Sequence, residues 1–155
     1  REAVRLNAAE ITEVSVADIE GKIAAIFCNG GDEAFVKVSL DQNSLEFFKK
    51  SLHLVKDDLD RLLIWRVFWD MTRDTKISAL EFLEVVNSSL PPETNPGHIL
   101  NVLKYCGVAA RSYIPVGSYR EECHKLFQLL WGMLQTAEGQ DVKQNLFNKA
   151  VSFAA

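Results

Sequence analysis

From Asp41 to the C-terminus the apolar residues recur at intervals of three and four, and the gaps between these runs carry helix start and stop residues. A chain with this pattern folds as helices joined by short loops, because only the helical period gathers such residues onto one face. The first helix is expected over residues 44–55. Asp57 is placed as the N-cap of a second, reaching about Arg73, with Asp58 and Asp60 in its first turn. Ser78 and Glu81 form an S-x-x-E capping box for a third, which stops before Pro91 and Pro92 because proline cannot continue the backbone ladder. Asn95 and Pro96 open a fourth, whose Ile99, Val102, Leu103 and Cys106 share a stripe ending near Ala110. After Pro115, Ser118 and Glu121 repeat the capping-box spacing ahead of a long helix with Tyr119, Cys123, Leu126, Phe127, Leu130 and Leu134 on one face. Gly139 ends or interrupts it, and a last helix from about Asp141 buries Val142, Leu146, Ala150 and Phe153.

Upstream of Asp41 the character changes. Residues 11–16, 22–28 and 35–40 are short β-prone runs, and the turn-forming stretches 18–21 and 29–32 separate them. The expected class is therefore mainly α, a short N-terminal β-hairpin segment followed by an antiparallel, solenoid-like helical stack. The second helix is apolar on more than one side and is expected at the centre, with Trp65 and Trp69 as core residues, not a ligand platform. Superposing 69–71 on 131–133 aligns two W-x-M triplets and their preceding apolar residues, a sign of stacked helix pairs.

Several functions lack support. A net charge of −4 supplies no basic face for nucleic acid, and the apolar run around 62–69 contains Arg66 and is too short to span a bilayer. No signal-peptide pattern opens the chain, and a start at Arg1-Glu2 without methionine suggests a piece of a longer protein. Cys28, Cys106 and Cys123 form no CxxC pair, which fits a reducing, cytoplasmic setting. Adjacent Cys123 and His124 diverge on a helix, and His53 and His98 are expected on the surface at helix ends. No catalytic, cofactor or zinc-ligand set is identified. The one metal alternative is an EF-hand-like calcium loop with Asp70, Thr72, Asp74 and Glu81 as ligands. Thr75 replaces the loop's glycine, Lys76 brings a cation to the site, and Arg66 or Arg73 can pair with Asp70, so a helix-turn-helix explains these residues better.

Three stretches, FVKVSLD at 35–41, WDMTRD at 69–74 with SALEFL at 78–83, and LPPETN at 90–95, resemble the zinc aminopeptidase family of the aminopeptidase N and puromycin-sensitive aminopeptidase type. The resemblance runs from about Ile23 to the end. It implies that residues 1–41 end a β-sandwich domain and that 42–155 begin an all-helical C-terminal domain. It also implies a parent enzyme that removes N-terminal residues from peptides with zinc-activated water, while the helical domain caps the cleft and gates peptide access. Neither H-E-x-x-H nor G-A-M-E-N occurs here, so no zinc ligand or catalytic residue is carried over and this chain alone is expected to be inactive. Implied partners are the other domains of the parent, its peptide substrates and, through a helical face left uncovered, a second copy. The contrasting expectation is a free-standing helical-repeat interaction module.

Overall fold

The computed structural model describes residues 11, 13 and 21–154. Six helices follow one another: α1 Gln42–Ser51, α2 Asp58–Arg73, α3 Ala79–Ser89, α4 Pro96–Ser112, α5 Val116–Thr136 and α6 Gln140–Val151, with a 3-10 turn at Leu52–Leu54 after α1. Helices adjacent in sequence pack together from α2 onward, and α1 packs on α3, α2 on α4, α3 on α5 and α4 on α6. This alternation puts α3, which touches α1, α2, α4 and α5, and α4, which touches α2, α3, α5 and α6, in the middle of the stack, with α2 packed on both. Phe82, Leu83 and Val86 of α3 are fully buried, against Trp65 and Phe68 of α2, Val102 and Cys106 of α4, and Leu126 and Leu130 of α5 in one cluster.

The start signals act as the side-chain chemistry requires. Asp41 accepts from the backbone of Asn43 and Ser44, Asp57 from Asp60, and Asn95 from Gly97 and His98, each satisfying N–H groups that have no partner within the helix. Ser78 and Glu81 form the full capping box. The helix of 44–55 is shorter than its pattern, beginning at Gln42 and ending at Ser51 before the 3-10 turn. Ser118 and Glu121 make no capping box: α5 starts from Pro115, and Ser118 already lies in the first turn, donating its backbone N–H to Pro115 O at 2.9 Å.

Among the described residues there is no strand. Residues 22–27 and 35–40 have no regular secondary structure and no backbone hydrogen bond joins them, while most of 11–16 lies outside the described residues. Between them Asp32 N donates to Asn29 O at 3.1 Å, and both side-chain amide atoms of Asn29 bond the backbone of Ala34. Asn29 spans the turn with its own amide, so the backbone does not need a hairpin ladder. The segment instead lies as a strap on the helices. Ile26 N donates to Ser44 Oγ, Gly31 N to Asp60 Oδ1, and Lys76 Nζ to Ser39 Oγ, while Phe27 meets Phe48 edge-on.

Candidate functional site

The α2–α3 junction contains all four residues of the calcium alternative, and the fold gives each a separate task. Asp70 lies on the last turn of α2, 3.8 Å from Arg66 Nε and 3.7 Å from Arg73 Nη1. Thr72 is buried and donates its hydroxyl to Phe68 O at 2.8 Å. Asp74 pairs with Lys37 of the strap at 2.6 Å, and Glu81 is committed to Ser78 and to Lys49 at 3.0 Å. Lys37 and Ser78 hold the carboxyls of Asp74 and Glu81 below their ordinary ranges. Among the described residues no three His, Cys, Asp or Glu side chains gather to hold a metal ion.

The loop itself is a helix terminator. Thr75 N–H bonds Thr72 O and Lys76 N–H bonds Met71 O, with Thr75 at φ +60. These are the two hydrogen bonds of a Schellman motif. Glycine normally occupies that left-handed position, and a β-branched residue there is strained by about 1–2 kcal/mol.

A second cluster, at the turn between α3 and α4, holds the most completely buried charges. Glu93 receives Arg61 Nε at 3.1 Å and Nη2 at 3.2 Å, the backbone N–H groups of Thr94 and Asn95 at 3.0 Å each, and lies 3.2 Å from His98 Nδ1. Its side chain is 3% exposed and that of Arg61 12%. Arg61 continues to Val55 O at 2.8 Å and Asp58 at 2.6 Å, and Asp58 accepts from Asn95. Burial pushes the Glu93 carboxyl up, but the Arg61, Asn95 and His98 contacts together outweigh it and leave the carboxyl below its ordinary range. With its acceptor sites filled, Glu93 has no lone pair for a substrate proton, and the cluster acts as a lock between α2 and the 90–95 turn. A cavity of about 150 Å³ lies beside it, lined in part by Leu52, His53, Trp65 and Pro92.

His98 is thus buried, contrary to the surface position expected from its place near a helix end; Asn95 caps α4 and turns the first helical turn inward onto Glu93. His53 is exposed. Trp65 and Trp69 are core residues, with Trp69 stacked on Tyr105 at 5.1 Å and tilted against Phe82 at 5.6 Å. Trp131, aligned with Trp69 by the triplet match, has a different environment: it stands exposed and stacks on Phe127 at 5.8 Å. The lock could not be read from the sequence because Arg61 and Glu93 belong to different helical periods, and only the packing of α2 on α4 brings them together.

The fold and these clusters define an all-helical domain whose acidic residues join helices, and among the described residues no helix is long and apolar enough to cross a membrane. Residues 25–155 match the ERAP1-like C-terminal domain, and the chain belongs to that family. It is also similar to aminopeptidase N of Streptomyces lividans, 29% identical over 104 residues. That alignment covers 67% of this chain and 12% of the length of that protein. The stretches that carry the resemblance are bonded into the fold: Lys37 of 35–41 pairs with Asp74 of 69–74, Glu81 of 78–83 with Lys49 of α1, and Glu93 of 90–95 with Arg61 of α2.

Proposed function

We propose that this chain is a noncatalytic C-terminal region of a zinc-dependent aminopeptidase, where its helices cap the catalytic cleft and restrict which peptides enter. One observation carries the reading: polar groups of the stretches that carry the resemblance are committed to pairs that tie the strap, the helices and the 90–95 turn together across 32 or more residues of sequence. These stretches act by shape, because Asp74, Glu81 and Glu93 are already paired. Under this reading residues 1–41 end a β-sandwich domain, and 42–155 begin the helical domain. The partners are the other domains of the parent and the peptides passing them. Exposed Trp131, Phe147 and Val151 on α5 and α6 would meet further parent helices, or a second copy when this chain is alone. Zinc belongs to the parent's catalytic part. Among the described residues no three His, Cys, Asp or Glu side chains gather. A cytoplasmic location completes the proposal, supported by Cys28, Cys106 and Cys123 as free thiols.

The test uses the full-length enzyme carrying Glu93→Gln, assayed at a temperature at which circular dichroism shows the variant still folded. Hydrolysis of a single aminoacyl amide should stay within about twofold of the unmodified enzyme, while kcat/KM across peptides of increasing length changes its profile. Equal loss on every substrate, or no change on any, contradicts gating. A parent sequence lacking H-E-x-x-H and G-A-M-E-N removes the aminopeptidase reading and leaves the free-standing interaction module.

A further inference from the structure

Helices α4 and α6 border an open groove of about 500 Å³ in which Leu100, Leu103 and Val108 lie beside three cations, Lys104, Arg111 and Lys149. Two of the cations converge. A methyl group built on Gly107 would collide with Lys149 Nζ and sit 3.4 Å from Arg111 Nη1. Both charged heads therefore hang over the bare α-carbon of Gly107, close enough for one anion to bridge them. Among the described residues, no carboxylate lies within ion-pairing distance of Lys104, Arg111 or Lys149. Lys37, Lys49, Arg61 and Lys125, by contrast, each have an acidic partner within 3.1 Å. Burial pushes the neighbouring Cys106 thiol up to about 12, so it stays neutral and supplies no counter-charge. Burial, and then the charge of Arg111, lower the affinity of Lys149 for its proton, which is the response of a half-buried ammonium facing a second cation.

We propose that the α4–α6 groove binds a phosphate-bearing small molecule, its phosphate bridging Arg111 and Lys149 above Gly107 and its apolar body lying against Leu100, Leu103 and Val108. A monocarboxylate neutralises one head and leaves the other. A phosphate carries up to two charges at neutral pH and three strong acceptor oxygens, so it answers both, with the planar guanidinium suited to two parallel hydrogen bonds. Lys104 on the groove wall adds attraction at longer range. Gly107 leaves room for the seat as it stands: a side chain there would require the flexible Lys149 head to shift. This inference does not depend on the aminopeptidase reading.

The 155-residue chain is titrated with inorganic phosphate, phenyl phosphate and acetate at constant ionic strength held with chloride, following the Gly107 amide by NMR and the thermal midpoint. The expected result is a saturable Gly107 shift and a raised midpoint with both phosphates, phenyl phosphate binding at least about tenfold tighter, and acetate at least about tenfold weaker than inorganic phosphate. Arg111→Gln and Gly107→Ala should each weaken phenyl phosphate by about tenfold or more. Equal binding of the two phosphates overturns the apolar part and identifies free phosphate as the ligand. Acetate binding as well as phosphate, a response that chloride alone reproduces, or unchanged binding by Arg111→Gln, whose side chain is on the surface, overturns the site.

Discussion

The junctions before α3 and before α5 carry the same S-x-x-E spacing and are built differently. At the first, Ser78 and Glu81 exchange both hydrogen bonds of a capping box, and Glu81 reaches on to Lys49. At the second, Pro115 has already led the chain into α5, Ser118 lies inside its first turn, and Glu121 pairs with Lys125 one turn along at 2.8 Å. The contrast extends beyond the caps. The α2–α3 side is held by pairs far apart in sequence, Lys37 with Asp74, Lys49 with Glu81 and Arg61 with Glu93, whereas among the described residues the ion pairs of α5 are local ones around Lys125, and Trp131 faces the surface. A spacing motif becomes a cap only where the preceding turn delivers the chain at that residue, and the Schellman turn at Thr75 does so for Ser78.

Substitutions can break this contrast, and the largest effect belongs to Glu93. Glu93→Gln leaves the buried Arg61 guanidinium with only the exposed carboxylate of Asp58 and should destabilise the chain by about 3 kcal/mol in urea unfolding. Removing a charge from the exposed local α5 pair by Glu121→Gln should leave the urea midpoint nearly unchanged. The same buried carboxyl sets a pH dependence. Its folded value lies below the ordinary 4.5, so its contribution is complete above that range and is lost as pH falls through the folded value. Acid unfolding of Glu93→Gln should accordingly be shallower below pH 4.5 than that of the unmodified chain.

Ser78→Ala should cost about 1 kcal/mol in the same unfolding measurement, while Ser118→Ala should change stability by less than about 0.5 kcal/mol. Equal losses would mean that the second motif caps after all. Smallest in magnitude and opposite in sign, Thr75→Gly should stabilise by about 0.5–1 kcal/mol by relieving the left-handed threonine, and it should leave calcium affinity unmeasurable by calorimetry.

Much of the helical order was legible because caps and prolines are local: Asp57, Ser78 and Asn95 start helices where their side chains can reach unpaired N–H groups. Residues 22–28 and 35–40 misled because β-prone composition does not specify a pairing partner, and here the partners are helices. The Arg61, Glu93 and His98 cluster and the Arg111, Gly107 and Lys149 seat were not legible at all. Arg61 on α2 and Lys149 on α6 reach their partners only through helix packing, which no spacing along the chain encodes.

The central claim is that the buried Glu93 carboxylate locks the turn between α3 and α4 onto α2 through Arg61, and a double-mutant cycle on Arg61→Gln and Glu93→Gln tests it most directly. The account predicts an interaction energy near the top of about 0.5–3 kcal/mol, with Arg61→Gln adding little once Glu93 has been neutralised. Losses that add to within about 0.5 kcal/mol would show that the two residues act independently, and would contradict the lock.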